Sequence, residues 1–289
     1  MIIVKLMGGL GNQMFQYAFG RALGIHLKQE IFYDKSWFYQ DFVGTTPREL
    51  KLEAFNISLP YTKLESPFFK TKIGKHIKSV LQKTGLQPKY IKVNEETFAL
   101  NQINGHNNYY FESYWQNPEY FEDVRDIILA EFNFQEFSNP EDANLQRMIC
   151  DCESIAIHIR RGDYVNSPKT NQFHGTCSIG YYKEAANRVL SKIPNAKFFL
   201  FTDDPDYVKS NLGFLCDCML VSNNRRSEVD ELNLMHSCKH FIIANSSFSW
   251  WGAWLSQNSD KIVISPKQWF KNEEANEKCK IVPKDWIRI

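Results

Sequence analysis

The sequence predicts an α/β protein built from two domains, and three observations lead there. Its 289 residues exceed what one compact α/β layer pair of common size holds and suit two domains of roughly 140 residues each. The opening segment reads strand, glycine loop, helix, strand. After residue 150, short apolar runs alternate with stretches of helical period, the pattern of a parallel, doubly wound sheet.

Ile2 to Met7 is an apolar run of strand length that breaks at Gly8, Gly9 and Gly11. Phe15, Ala18, Phe19, Ala22 and Leu23 then share one helical face, and a second apolar run, Ile31 to Tyr33, ends at Asp34. Residues 59–93 change character: eight lysines face one acid, Glu65, with Ile73, Ile77, Val80 and Leu81 at helical spacing. This basic amphipathic segment, lysine-rich from 63 to 92, fits either an anionic membrane surface or a solvated insert that packs one stripe on the body. Residues 109–134 hold an aromatic cluster followed by a helix from Pro118 onward. The acid-rich spacer at 138–144 marks the expected junction, giving domains 1–144 and 145–289. Beyond it the expected order is strand 155–159, helix 180–193, strand 198–202, helix 205–212, strand 219–221, helix 228–238, strand 241–244, helix 250–256 and strand 262–265.

Composition narrows the function classes. With 43% apolar and 15% aromatic residues the chain has ample material for burial. The 34 basic residues nearly balance 33 acidic ones, so no global field recruits nucleic acid. Seven cysteines, an odd number spread over a long chain that opens on a strand rather than a secretory segment, point to reduced thiols in the cytoplasm. No stretch reaches the roughly 18 apolar residues of a spanning helix.

Four stretches carry chemistry. In IAIHIRRGDY, residues 155–164, strand alternation puts Ile155, Ile157 and Ile159 on one face and Ala156, His158 and Arg160 on the other. Arg160, Arg161, Gly162 and Asp163 then fall at a strand's carboxyl end, where open α/β sheets bind ligands. Arginine suits phosphate because its planar fork donates two parallel charge-assisted hydrogen bonds; a structural Arg–Asp pair is the plainer alternative. The glycine loop MGGLGNQM, residues 7–14, contains Gly11 and Asn12 and enters a helix, an arrangement that cradles anions with backbone N–H groups. Met14 stands where a dinucleotide fingerprint needs a small residue, although Asp34 ends the next strand as a ribose-binding acid would. In FIIANSSFSWWGAWL, residues 241–255, a strand delivers Asn245, Ser246, Ser247, Phe248 and Ser249 to a helix start, while Trp250, Trp251 and Trp254 read as core. In FLFTDDPDYV, residues 199–208, Asp203 and Asp204 read as caps for a helix at Pro205 rather than as metal ligands. The Cys-Asp-Cys triplets at 150–152 and 216–218 lack the usual zinc spacing.

Together GGLGNQMFQYAFGRAL, HIRRGDY and NSSFSWWGAWL resemble the bacterial α1,2-fucosyltransferase family, glycosyltransferase family 11, related to the blood-group H enzymes. The motifs run in order from residue 7 to residue 255. The resemblance implies a GT-B fold of two facing Rossmann-like domains, with the acceptor on the first and GDP-fucose on the second. It implies GDP-β-L-fucose as donor, a galactose-terminated glycan as acceptor at its 2-hydroxyl, inversion, and no metal or other cofactor. It also implies work in lipopolysaccharide or O-antigen assembly, in the cytoplasm or at the inner membrane surface. The family's H-x-R-R-x-D motif falls on His158, Arg160, Arg161 and Asp163, which gives Arg160 the donor β-phosphate and places His158 near the guanine. Glu231, seven residues before Cys238, stands where related enzymes carry a guanine-binding Asp. Ser246, Ser247, Phe248 and Ser249 match the phosphate-contacting stretch, and Asn12 with Gly11 is expected to face the diphosphate from the other domain. Asp163 ranks first as general base, ahead of Glu112 and His174. Two rivals are a nicotinamide oxidoreductase built on the glycine loop and Asp34, and a non-catalytic nucleotide- or sugar-binding module.

Overall fold

The computed structural model describes all residues except 40–46, 63–83, 85–88, 105–106, 167, 216 and 224, and the side chains of 163, 166, 168 and 169. Most of the basic segment, and with it the membrane-stripe reading, therefore lies outside the described residues. No helix among the described residues is long and apolar enough to cross a membrane.

The chain divides into two compact units, Met1–Asn133 and Phe134–Ile289. In the first, β1 (Ile2–Lys5), α1 (Leu10–Leu27) and β2 (Ile31–Asp34) form the expected opening unit, followed by β3 (Tyr90–Val93) and β4 (Asn108–Phe111). These strands make one parallel sheet in the order β2-β1-β4-β3. The helix expected from Pro118 begins as two 3-10 turns, Pro118–Tyr120 and Glu122–Val124, before α2 (Arg125–Glu131). Its aromatic cluster is core: Phe19 stacks on Trp115 at 3.9 Å with Phe111 and Phe98 edge-on.

The boundary before Phe134 differs from the junction expected after Asn144. Residues 138–144 open α3 (Pro140–Cys150) instead of linking domains: Asn139 caps it and Pro140 occupies its first turn. Asp142 is buried in an ion pair with Arg226 of the same unit. Caps and a buried carboxylate have a linker's composition, which is why the spacer reads as one.

The second unit continues with β5 (Ser154–Ile159), α4 (Gly162–Asn166), α5 (Pro168–His174), α6 (Ile179–Leu190), β6 (Lys197–Thr202), α7 (Pro205–Asn211), β7 (Cys218–Leu220), α8 (Glu228–His236), β8 (His240–Ile242), α9 (Ser247–Leu255), β9 (Val263–Ser265), α10 (Glu273–Glu277) and β10 (Ile287–Arg288). Its six parallel strands run β10-β9-β8-β5-β6-β7. Counted from β5, this is the 3-2-1-4-5-6 order of the Rossmann fold. The chain winds outward through β6 and β7, returns beside β5 as β8, and winds the other way, so β5 and β8 flank the topological switch point.

Ile155, Ile157 and Ile159 pack with Tyr182, Ala185 and Val189 of α6 and Val208 of α7. Full burial of each such side chain contributes about 1.5–3 kcal/mol before the entropy of ordering is set against it. Trp250, Trp251 and Trp254 are buried, and Trp250 donates its indole N–H to the Ile281 carbonyl at 2.7 Å.

Candidate functional site

The site grows from the register of β5 on β6. Ile159 pairs with Thr202, so the residues that follow, Arg160 and Arg161 on one strand and Asp203 and Asp204 on the next, emerge side by side. Arg160 Nη1 meets Asp203 Oδ2 at 2.8 Å, and Asp203 Oδ1 accepts the Arg161 backbone N–H at 2.8 Å. Arg160 and Asp203 keep 23% and 25% of their side-chain surfaces exposed, so the pair holds the guanidinium while leaving part of it open to a ligand. Gly162 leaves room for this pair: a Cβ there would lie 2.7 Å from Asp203 Oδ2 and push the carboxylate aside.

Arg161 is engaged differently. Its Nε donates to Asp204 Oδ2 at 3.1 Å and its guanidinium lies 3.5 Å from the Tyr207 ring centroid. Asp204 also caps α7 through the Tyr207 N–H at 3.1 Å. The paired acids thus serve as arginine partner and helix cap, the second role being the one expected. Asp163 lies on α4; its side chain, with the base role expected of it, falls outside the described residues.

His158 points from the buried face of β5, with its ring 5.6 Å from that of Phe248. Its Nδ1 is buried without a hydrogen-bond partner among the described residues. Burial pushes its pKa down to about 3, with Asp203 opposing and Arg160 reinforcing the shift. At neutral pH the ring is therefore uncharged. Glu231, on α8, accepts the Ser222 hydroxyl, and Ser222 Oγ accepts the Thr202 N–H at 2.7 Å, which ties Glu231 to the end of β6. Burial raises its carboxyl pKa, opposed by Ser222 and Arg226 and reinforced by Glu228 and Asp203.

Across the switch point Ser246 caps α9, its Oγ accepting the Phe248 N–H at 3.3 Å, and the buried Ser249 hydroxyl donates back to the Ser246 carbonyl. Ser247 and Phe248 are the half-exposed members of the stretch. Tyr164 joins the two sides: its hydroxyl donates to the Asn245 carbonyl at 3.2 Å, and its ring lies 5.7 Å from the Arg160 guanidinium. The structure thus brings His158, Arg160, Arg161, Glu231 and residues 246–249 to one edge of the second sheet. Asp203, Ser222 and Tyr164 complete it. Asp203 was legible as a strand-end acid, but its partnership with Arg160 follows from strand pairing.

In the first unit the glycine loop is self-satisfied. Gly8 takes φ +80°, and a Cβ there would lie 2.7 Å from Asn12 Nδ2. Asn12 Oδ1 accepts from Gln116 Nε2 at 2.7 Å, and Gly11 is buried in the first turn of α1. Buried Gln13 donates to the carbonyls of Gly8 and Glu49 and accepts the Lys51 N–H; buried Gln16 accepts the Met7 N–H at 2.8 Å. Asp34 accepts from Ser36 N–H, Ser36 Oγ and Tyr110 OH at 2.8, 3.1 and 2.6 Å. Its oxygens are spent on the protein, which removes the basis of the nicotinamide rival. For Glu112, burial raises the carboxyl pKa but Lys5 and Lys92 outweigh it, holding the group below the usual range and making it a weaker base. His174 stacks on Tyr164 at 4.8 Å.

Comparison with known proteins agrees with this architecture. The chain is 33% identical to the O-antigen biosynthesis glycosyltransferase WbnK of Escherichia coli, with 98% of this chain and 99% of that protein covered. It is also 33% identical to an α-1,2-colitosyltransferase of Escherichia coli, covering 100% and 98%. Among solved structures it resembles fucosyltransferase NodZ from Bradyrhizobium at 14% identity and TM-score 0.50, over 87% of this chain and 91% of that one. The fold is α/β of the GT-B type, as the resemblance implies. The family model for glycosyl transferase family 11 matches residues 1–289, and the chain belongs to that family.

Proposed function

We propose that this chain transfers L-fucose from GDP-β-L-fucose to the 2-hydroxyl of a galactoside, with inversion at the anomeric carbon and without a metal. The observation that carries the reading is Arg160, held in place by Asp203 at the switch point beside neutral His158, Glu231 and the capped start of α9. As the sugar–diphosphate bond breaks, negative charge grows on the β-phosphate oxygen, where a preorganised guanidinium and N–H groups stabilise it. One such donor is worth on the order of 3 kcal/mol, about a hundredfold in rate. The acceptor oxygen forms its bond to the anomeric carbon from the opposite face and passes its proton to a base, for which Asp163 is our first choice. Glu231 presents a carboxylate suited to the N1–H and N2–H edge of guanine. The fucosyltransferase motifs support the donor, as does the solution of NodZ with GDP. The name of WbnK supports work on O-antigen glycans, and the cytoplasm is the compartment that this reading assigns to the enzyme.

A second donor reading rests on the colitosyltransferase relative. Colitose is L-fucose without its 3-hydroxyl, so the same diphosphate machinery serves both sugars and discrimination rests on whether that hydroxyl finds a partner. The test is GDP release from GDP-fucose and from GDP-colitose, with and without lactose or N-acetyllactosamine, in the presence of EDTA. Lactose-stimulated release from GDP-fucose, unaffected by EDTA and giving an α1,2-linked product by NMR, is the expected result. Turnover of GDP-colitose alone would move the donor assignment, and loss of activity in EDTA would overturn the metal-free mechanism.

A further inference from the structure

The second unit contains a cavity of about 1080 Å³ that the donor reading does not use. It opens at the carboxyl ends of β8, β9 and β10, on the opposite half of the sheet from Glu231. Its floor is built. Tyr181 donates its hydroxyl to the carbonyls of Ile243 and Ile264, at 2.7 and 3.1 Å, and so bridges the ends of β8 and β9. Asn245 donates to the carbonyls of His174 and Trp269 at 3.0 and 3.1 Å, fixing both walls.

The charged side chains of this cavity are basic among the described residues. Lys267, Lys271 and Arg288 line it, and among the described residues no Asp or Glu side chain does. Arg288 donates to the Val282 carbonyl, whereas Lys267 and Lys271 are exposed and neither ammonium has an ion-pair partner among the described residues. The cavity also adjoins the reacting end. His174, in its wall, stacks on Tyr164, whose ring in turn neighbours the Arg160 guanidinium, and Asn245 leads directly into Ser246 and α9. Lys267 and Lys271, without an ion-pair partner among the described residues and set in a pocket large enough for a sugar unit and lined by hydroxyls and amides, suit an anion attached to a polar ligand.

We propose that this cavity is an acceptor subsite for an anionic group carried by the glycan, a phosphate ester or a uronate carboxylate, with Lys267 and Lys271 as its recognition residues. The proposal rests on the reading that transfer occurs at Arg160. The enzyme thereby favours acceptors bearing such a charge within a sugar or two of the receiving galactose. Neutral lactose is then a poor surrogate for the natural substrate.

The test uses the intact chain and the double variant Lys267→Gln/Lys271→Gln. Binding of three short soluble acceptors sharing a terminal galactose, one neutral, one with a reducing-end phosphate and one with a uronate, is measured by calorimetry with GDP saturating. Acceptor KM and kcat are measured in parallel. The expected result is at least tenfold tighter binding of one charged acceptor than of the neutral one. The double variant loses that preference, with kcat within twofold and neutral-acceptor binding unchanged. Preference for the phosphate or the uronate identifies the source of the charge. Equal binding of all three by the wild type, or a preference that survives in the double variant, overturns the proposal. Absence of GDP release from any donor would overturn the donor reading instead, and the calorimetric result would still decide the subsite.

Discussion

The carboxyl ends of the two sheets are made from the same parts, a central strand, a glycine-bearing turn and a helix, yet they invest their polar groups differently. Behind β1 the polar side chains turn inward: Gln13, Gln16 and Asp34 are buried and their hydrogen bonds go to the loop, to neighbouring backbone and to Tyr110. Behind β5 Arg160 stays partly exposed on Asp203, and the buried His158 Nδ1 has no hydrogen-bond partner among the described residues. A glycine turn before a helix is therefore a scaffold in one unit and a ligand end in the other. The side chains around the turn decide which.

The sharpest way to break this comparison is Arg160→Ala. Turnover at saturating donor is expected to fall about a hundredfold or more, with the circular dichroism spectrum and melting temperature near those of the wild type. Near wild-type turnover would remove the phosphate role. Asp203→Asn keeps the shape and removes the charge that holds Arg160. We expect roughly a tenfold loss in kcat, the ion pair being partly exposed and worth less than a buried one. Gly162→Ala, which drives a methyl toward the same carboxylate, should reproduce much of that loss in the same assay.

His158 sharpens the contrast through pH. Its folded pKa of about 3 lies below the ordinary 6.5, so between those values the unfolded chain binds a proton that the folded chain refuses. Stability must fall as pH drops through that window, and this residue alone contributes a loss of about 1.6 kcal/mol between pH 6.5 and 5. Denaturant unfolding of the wild type and of His158→Asn at both pH values reads the difference. Equal losses would mean that His158 charges in the folded state. The smallest expected effect on turnover is that of Gln13→Ala, which strands the Gly8 and Glu49 carbonyls and the Lys51 N–H and costs about 1–3 kcal/mol of stability. The kcat of the folded fraction should be unchanged, and a fall in kcat at full folding would make the glycine loop a participant rather than a scaffold.

Much of the second unit was legible because its code is local. Alternation in IAIHIRR set the core face of β5, Asp204 announced the start of α7, and the serine stretch at 246–249 announced the start of α9. The first unit was less legible where it departs from regular alternation. In the second unit the spacer at 138–144 reads as a linker because a capped helix start carrying Asp142 looks polar and irregular until Arg226, 84 residues away, is seen to pair with it.

The sequence by itself determined the fold class, the strand-end motifs and the family, because strand alternation, helical period and capping are encoded within a few neighbouring residues. Only the tertiary structure decided which strand ends lie together. The pairing of Ile159 with Thr202 brings Arg160 to Asp203, the return of the chain as β8 brings Ser246 beside β5, and Ser222 ties Glu231 to β6. Those neighbours are set by sheet order and long-range packing, whose partners lie tens of residues apart, and no local pattern records them.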